Sequence, residues 1–215
     1  MPKLRTLMTG LVFGEQLGWH QGRLWFSDWG TQEVIAVDLE GTSEVILRGT
    51  SFPLCVDWLP DGRLLVVSAG DGLLLRMEPD GSLVPHGDVS SASDPPAGNE
   101  LVVDGRGNAY VNGGGFNLMA GEEFAPGIIA LVTPDGSVRR VADDLAFPNG
   151  MLVTDDSTLI VAESYAKRLT AFDIAADGSL SHRRVWADLQ GGVPDGIWAF
   201  SNPSTPPETS EVEFK

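Results

Sequence analysis

The sequence predicts an all-β fold, and three observations support this. Short apolar runs alternate with turn residues, and no helical period persists over a long stretch. Pairs of Asp and Gly recur between the runs, and such pairs supply the positive φ values that tight hairpin turns need. Gly and Pro account for 26 and 14 of the 215 residues, which favours short strands joined by turns.

The predicted strands are short apolar or β-branched runs bounded by these turns. In chain order they are 24–28, 33–38, 64–67, 73–77, 101–104, 109–111, 127–132, 159–162 and 168–174. The turns between them fall at 40–41, 60–63, 79–81, 105–108, 134–136 and 177–178. The aspartates of these turns are read as turn formers and carry no other predicted role.

A repeat organises these strands. Five positions occupy the same point of the repeating unit, four residues before a residue in an apolar strand: Glu15, Leu54, Asn99, Asn149 and Asp195. The steps between them are 39, 45, 50 and 46 residues. Repeats of about 40–50 residues built from short strands are typical of β-propeller blades, whose innermost strands line a central channel. Equivalent positions should therefore converge in space.

The converging polar residues predict a metal site. Glu15, Asn99, Asn149 and Asp195 supply two carboxylates and two amides, an all-oxygen set that suits a hard divalent cation. Taken singly, Asn99 or Asn149 is explained equally well as a turn asparagine. The alignment of all four favours the metal site.

Composition and charge exclude several classes of function. The net charge is −16, from 14 basic and 30 acidic side chains, which argues against nucleic acid or an anionic membrane as partner. The single cysteine, Cys55, excludes an internal disulfide framework and is expected to be a buried strand residue in a cytoplasmic protein. No run is long enough to span a bilayer, and the apolar stretch 7–13 lacks a signal-peptide cleavage site.

Common catalytic motifs are absent from the sequence. It contains no G-x-S-x-G elbow, H-E-x-x-H helix or phosphate-binding loop. The glycines at 113–115 follow a strand but precede no helix, so they are expected to let the chain turn near the channel mouth. His20, His86 and His182 lack ligand spacing and are expected in surface loops.

Four stretches give the repeat a family resemblance. They are Gly14-Glu15 before Trp19, Asn99–Asp104 with Gly107-Asn108, Pro148–Met151, and Pro194–Ile197. The chain, from about residue 11 to about 197, resembles the SMP-30/gluconolactonase/LRE-like family of six-bladed propellers, which includes regucalcin and bacterial gluconolactonases. The resemblance implies that Glu15, Asn149 and Asp195 hold a divalent metal, usually calcium, with zinc or manganese as alternatives. It implies that Asn99 contacts metal, substrate or water.

The resemblance also implies a reaction. A bound cation would polarise the carbonyl of a lactone and acidify a coordinated water. Asp195 would take the proton from that water, and Asn99 and Asn149 would orient the substrate oxygens. Two positions depart from the family pattern: Ala97 replaces a substrate-binding Arg, and the glycines at 113–115 stand where an acidic residue is expected. Sugar-lactone specificity therefore does not follow from the resemblance.

The end of the chain departs from a six-bladed ring. Twenty residues follow Asp195, whereas six blades of about 45 residues need about 270 in all. We expect an incomplete propeller over 1–200, with about four blades plus the first strand of a fifth, and a disordered tail over 201–215. Truncation, altered splicing or a frame change would each produce this pattern. An open arc would lack one channel wall and expose strand edges through which copies could associate.

Three functions stay open on the sequence alone. The first is a metal-dependent hydrolase of a small lactone or related ester. The second is a non-catalytic propeller fragment that binds metal or a protein partner. The third is a phosphotriesterase-like hydrolase on the same scaffold. Nothing in the residues separates lactone from organophosphate substrates.

Overall fold

The computed structural model describes residues 5–49, 52–200 and 211–214, and its fold is all-β. Four sheets of four antiparallel strands follow one another along the chain, and in each sheet the strands lie in sequence order. The four sheets form a ring, which is a propeller arrangement. The predicted fold class is therefore confirmed.

The strands of the four blades have the following bounds. The first blade comprises β1 (Gly14–His20), β2 (Arg23–Asp28), β3 (Glu33–Val37) and β4 (Ser43–Arg48). The second comprises β5 (Leu54–Trp58), β6 (Leu64–Ser68), β7 (Leu73–Met77) and β8 (Leu83–Asp88). The third comprises β9 (Glu100–Val103), β10 (Ala109–Gly113), β11 (Gly127–Val132) and β12 (Val138–Leu145). The fourth comprises β13 (Pro148–Val153), β14 (Thr158–Glu163), β15 (Arg168–Ile174) and β16 (Leu180–Asp188).

Single 3₁₀ turns interrupt some of the connections. They lie at Ala69–Asp71, Val89–Ser91 and Leu118–Ala120. Within the described ranges, no helix is long and apolar enough to cross a bilayer.

A fifth, smaller sheet follows the four blades. Strand β17 (Ile197–Phe200) is the predicted first strand of a fifth blade, and it pairs antiparallel with β18 (Glu211–Phe214). Residues 201–210 and 215 of the predicted disordered tail lie outside the described residues. Self-association through open strand edges stays a prediction.

The innermost strands pack side by side around the channel. Strand β5 contacts β9, β9 contacts β13, and β13 contacts β17. Strand β17 also approaches β1: the ring of Trp198 would lie 3.4 Å from a Cβ added to Gly18. Strand β17 therefore lies beside β1 at this level of the channel, and the expectation of a missing channel wall stays a prediction.

Apolar clusters between neighbouring sheets hold the blades together. Val34 and Val56 belong to the cluster between the first and second blades, where Trp29 Nε1 donates to the carbonyl of Leu54 over 2.9 Å. Cys55 is fully buried between the second and third blades, as predicted. Tyr110 fills the space between the third and fourth blades, and its hydroxyl donates to the carbonyl of Gly178 over 3.1 Å.

The histidines do not lie in loops, so that expectation is wrong. His20 ends β1, His86 lies in β8 and His182 lies in β16. His86 is buried because β8 packs against the third blade, where a Cβ added to the neighbouring Gly87 would lie 2.5 Å from Val132. His182 is exposed and pairs with Asp173.

Candidate metal and substrate site in the channel

The channel contains a cavity of about 550 Å³ at the level of the aligned repeat positions. Four carboxylates line it, those of Glu15, Asp57, Glu100 and Asp195. Tryptophan side chains supply much of the remaining wall: Trp25, Trp58 and Trp198. Charged groups and aromatic rings therefore meet in one cavity between the innermost strands.

Glu15 is positioned by a bulge in β1. The pairing of β1 with β2 shifts register between Glu15 and Gly18, and Gln16 adopts a left-handed φ of 49°. The Gln16 side chain reaches across the channel, where its Oε1 accepts from Val56 N over 2.5 Å and its Nε2 donates to Leu101 O over 3.3 Å. Strand β1 is thereby fixed to both β5 and β9.

The segment that leads into Glu15 is fixed by Asp28. This buried carboxylate accepts the backbone N–H of Val12 over 3.0 Å and of Phe13 over 2.9 Å. Burial alone would raise the pKa of Asp28, but these bonds and that from Gly30 N hold it below its usual value. The entry to β1 is therefore anchored by an ionised side chain.

Asn99 stands at the entry of β9. Its Nδ2 donates to the carbonyl of Pro148 over 3.2 Å, and its own carbonyl accepts from Cys55 Sγ over 2.8 Å. Its backbone N–H donates to the carbonyl of Asn112 over 2.8 Å. Because the amide nitrogen is committed to the fourth blade, Oδ1 is the side-chain atom left for a ligand.

Asn149 repeats this arrangement in β13. Its Nδ2 donates to Ser164 Oγ over 3.4 Å, which again leaves Oδ1 for a ligand. Its carbonyl accepts from Asn112 Nδ2 over 2.6 Å. Asn112 is fully buried, and its Oδ1 has no hydrogen-bond partner among the described residues. A buried amide oxygen without a partner next to both site asparagines is consistent with a ligand that the residues alone do not supply.

Asp195 is exposed and precedes β17, and two hydrogen bonds fix the backbone of its segment. Gly150 N donates to its carbonyl over 3.1 Å, and Ser164 Oγ donates to the carbonyl of Pro194 over 2.7 Å. A Cβ at Gly150 would lie 2.6 Å from both Asp195 O and Ile197 N, so only glycine permits this approach. Ser164 thus touches both the Asn149 side chain and the segment that carries Asp195.

The carboxylates of the cavity perturb one another. Burial first, and then the charge of Asp195, raise the pKa of Glu15 above its usual value. Burial raises the pKa of Glu100 to about 8, with contributions from Glu15, Asp195 and Asp57. Burial raises the pKa of Asp57 to about 7 despite hydrogen bonds from Trp58 N and Val103 N. Burial is the largest cause of all three shifts, and repulsion between carboxylates adds to it for Glu15 and Glu100, so a cation in the cavity would favour the ionised forms.

The structure brings two of the four predicted ligands into one cavity wall. Glu15 and Asp195 line the cavity. Asn99 and Asn149 do not line it, although the residues that follow them, Glu100 and Gly150, do. Within the described ranges, no three Asp, Glu, His or Cys side chains gather in a geometry that could hold a metal. A cation here would need the amide oxygens of Asn99 and Asn149 beside the two carboxylates, and this all-oxygen donor set fits calcium.

Sequence reasoning missed three residues of this region. Glu100 directly follows Asn99, and that adjacency was the signal that could have identified it. Asp57 lies three residues after Leu54, the apolar member of the aligned set. Asn112 lies inside a strand without any repeat partner, so the sequence offers no signal for it.

Comparison with known proteins identifies the family. The model of the SMP-30/Gluconolactonase/LRE-like region matches residues 13–199. The chain belongs to this family. A gluconolactonase structure from Xanthomonas campestris is 28% identical, with a TM-score of 0.72, and the match covers 89% of this chain and 68% of that one.

Two further proteins are similar to this chain. A structure from Agrobacterium tumefaciens, described as the calcium-binding protein regucalcin, is 23% identical with a TM-score of 0.69, over 89% of this chain and 65% of that one. The diisopropyl-fluorophosphatase of Loligo vulgaris is 28% identical over 114 residues, which cover 46% of this chain and 36% of the squid protein. The chain therefore spans about a third of the length of that curated relative.

Proposed function

We propose that this protein is a divalent-metal-dependent hydrolase of lactones or related esters, with calcium as the metal in the propeller channel. The observation that carries the proposal is the meeting of Glu15 and Asp195 in one cavity, although 180 positions separate them in the sequence. Membership of the family and the likeness to a gluconolactonase support the same reaction class.

The ligands would be the carboxylates of Glu15 and Asp195 and the Oδ1 atoms of Asn99 and Asn149. Both amide nitrogens already donate to protein acceptors, so both Oδ1 atoms are left for this task. The calcium-binding description of the Agrobacterium relative supports calcium over zinc or manganese. When bound, the metal would supply charge stabilisation for a carbonyl oxygen and acidify water.

The chain's own groups would perform the remaining steps. Asp195 is exposed and lines the cavity, and its carboxylate would accept the proton of an attacking water. Asn99 would orient a substrate oxygen in addition to binding the metal. The tryptophans of the cavity wall would limit the access of bulk water.

A second candidate is hydrolysis of organophosphorus esters. One specific observation favours it, the resemblance to a diisopropyl-fluorophosphatase over 114 residues. The same donor set would serve, because a phosphoryl oxygen takes the place of the lactone carbonyl. A chromogenic phosphotriester assayed beside lactones separates the two candidates. A cytoplasmic location stays a prediction.

The test is metal content together with activity of the purified chain. We expect hydrolysis of at least one lactone in calcium, loss of turnover in chelator, and a loss of about 100-fold or more for Asp195→Ala. Asp177→Ala, at an exposed turn, is the matched control and should retain activity. Calcium-dependent turnover that survives Asp195→Ala would overturn the assignment. A calcium-induced rise in Tm without turnover of either substrate class would favour a non-catalytic protein.

A further inference from the structure

Four aromatic rings form a wall beside Asn149. Phe147 stacks on Tyr165, with ring centroids 4.9 Å apart and planes 17° apart. Phe116 lies 5.7 Å from Phe147, and Phe124 lies 5.6 Å from both Phe116 and Tyr165. We call Phe116, Phe124, Phe147 and Tyr165 the aromatic wall. Its members come from three different connections between strands.

The aromatic wall stands at the channel end where the predicted ligands lie. The connections β10–β11, β12–β13 and β14–β15 all reach the end at which β9 and β13 begin, because consecutive strands are antiparallel. Phe147 is two residues before Asn149, and Tyr165 directly follows Ser164, the residue bonded to the Asn149 side chain. Phe147 O accepts from Ser164 N over 3.1 Å, which ties two of these connections together.

Half of the wall faces solvent. Phe116 is buried, whereas Phe124 and Tyr165 are 50% and 49% exposed. Leu118 and Met119, in the same connection as Phe124, are exposed as well. Apolar surface that is contiguous, rather than scattered singly, is typical of a ligand-binding surface.

The wall is held rigidly. In the β10–β11 connection, Glu122 accepts from Asn117 N over 2.7 Å and Asn117 Oδ1 accepts from Ala120 N over 3.0 Å. Phe147 adopts a left-handed φ of 58°, which is rare for a bulky side chain and is tolerated where the surroundings enforce it. The enforcing contacts include Glu163 Oε2, which accepts Ala146 N over 2.8 Å.

We propose that the aromatic wall binds an alkyl substituent of the substrate, so that the preferred substrates are lactones with an apolar side chain. This inference rests on the proposed hydrolase function and names its substrate class. Aromatic rings at the channel end that carries the predicted ligands would bury methylene groups effectively, whereas a polyhydroxylated lactone would lose water contacts there without gaining partners.

The test is the dependence of kcat/KM on chain length. In calcium, we expect γ-nonalactone to exceed γ-hexalactone by at least about tenfold, because each buried methylene contributes up to about fourfold. The double variant Phe124→Ala/Tyr165→Ala should reduce that ratio to below about threefold. Trp186→Ala, an equally exposed aromatic on the outer strand β16, is the matched control and should keep the ratio. A flat chain-length profile in the unmodified protein would overturn the inference.

A binding measurement keeps the inference separate from the proposed function. If no lactone is hydrolysed, the hydrolase proposal fails, and calorimetric titration with γ-nonalactone then tests the wall alone. Binding that is lost in the double variant and kept in Trp186→Ala would support an apolar-ligand surface. Absence of binding to the unmodified protein, or binding unaffected by the double variant, would overturn it.

Discussion

The backbone N–H of Gly150 donates to the carbonyl oxygen of Asp195 over 3.1 Å, which joins the residue after one predicted ligand to another predicted ligand. This bond explains how a residue near the end of the recognisable repeat is held in register with the fourth blade. Ser164 adds a second link through its bond to Pro194 O. The geometry of the site therefore depends on the packing of β17 against β13.

Replacing Gly150 tests this dependence. Its added Cβ would lie 2.6 Å from two backbone atoms, so Gly150→Ala must displace the Asp195 segment. We expect a loss of about 1–3 kcal/mol in the free energy of unfolding and a weaker response of Tm to calcium. Gly105→Ala is the control, because nothing lies within 4 Å of its added Cβ. Equal effects of the two substitutions would refute the proposed role of Gly150.

Glu163 supports the turn that carries Phe147 and precedes Asn149. The fully buried carboxylate pairs with Arg168 at 2.9 Å and Arg183 at 3.4 Å and accepts the N–H of Ala146. Glu163→Gln removes the buried charge that pairs with Arg168 and Arg183. It should lower the free energy of unfolding by about 3–5 kcal/mol, measured by urea unfolding at pH 7. Glu44→Gln, which removes an exposed pair with Arg23, should cost less than about 1 kcal/mol.

The same residue predicts a pH dependence. Burial alone would raise the pKa of Glu163, but hydrogen bonds from Ala146, Thr170 and Arg168 hold it below its usual value. Its ionised form therefore stabilises the fold above the pKa of the unfolded chain, and this contribution is lost as pH falls through the depressed pKa. The stability difference between the unmodified protein and Glu163→Gln should shrink below about pH 4.5. A difference independent of pH would contradict this account.

Asp57 should make stability depend on pH in the sense opposite to that of Glu163. Burial raises its pKa to about 7, so the folded protein holds a proton that the unfolded chain releases near its usual value of 3.8. The contribution of this group to stability therefore falls as pH rises between those values. With chelator present, the free energy of unfolding of Asp57→Asn, relative to that of the unmodified protein, should rise by about 1–3 kcal/mol from pH 5 to pH 8. Glu40→Gln, at an exposed turn, is the control for loss of one charge.

Cys55 reports on the integrity of the channel wall. The thiol is fully buried, and burial followed by the charges of Glu100 and Glu15 raises its pKa. It should resist alkylation by iodoacetamide in the folded protein and react within minutes in denaturant. Rapid reaction under native conditions would show that β5 opens easily from β9.

Much of the fold follows from the sequence because each middle strand of a blade is a largely apolar run bounded by turns. Runs such as 64–67 and 127–132 lie inside β6 and β11. The outer strands β12 and β16 were not predicted. They carry charged residues at exposed positions, including Arg139 and Arg184, so no apolar run marks them.

The candidate site was predictable only where the repeat carries it. Glu15 and Asp195 occupy aligned positions and meet in the cavity. Asn112 could not be predicted, because its role comes from a bond to Asn149 O across two blades. The aromatic wall could not be predicted for the same reason, because Phe124 and Tyr165 lie in separate connections that only the fold brings together.

The most direct test of the central claim is calorimetric titration of the apo protein with calcium. We expect one calcium ion per chain, with affinity reduced at least about tenfold by Asp195→Asn and by Glu15→Gln, since each removes one of two charged ligands. Asp177→Asn, an exposed turn carboxylate, should leave the isotherm unchanged. Absence of a saturable site, or a site equally strong in Asp195→Asn, would contradict the assignment of the channel as a metal centre.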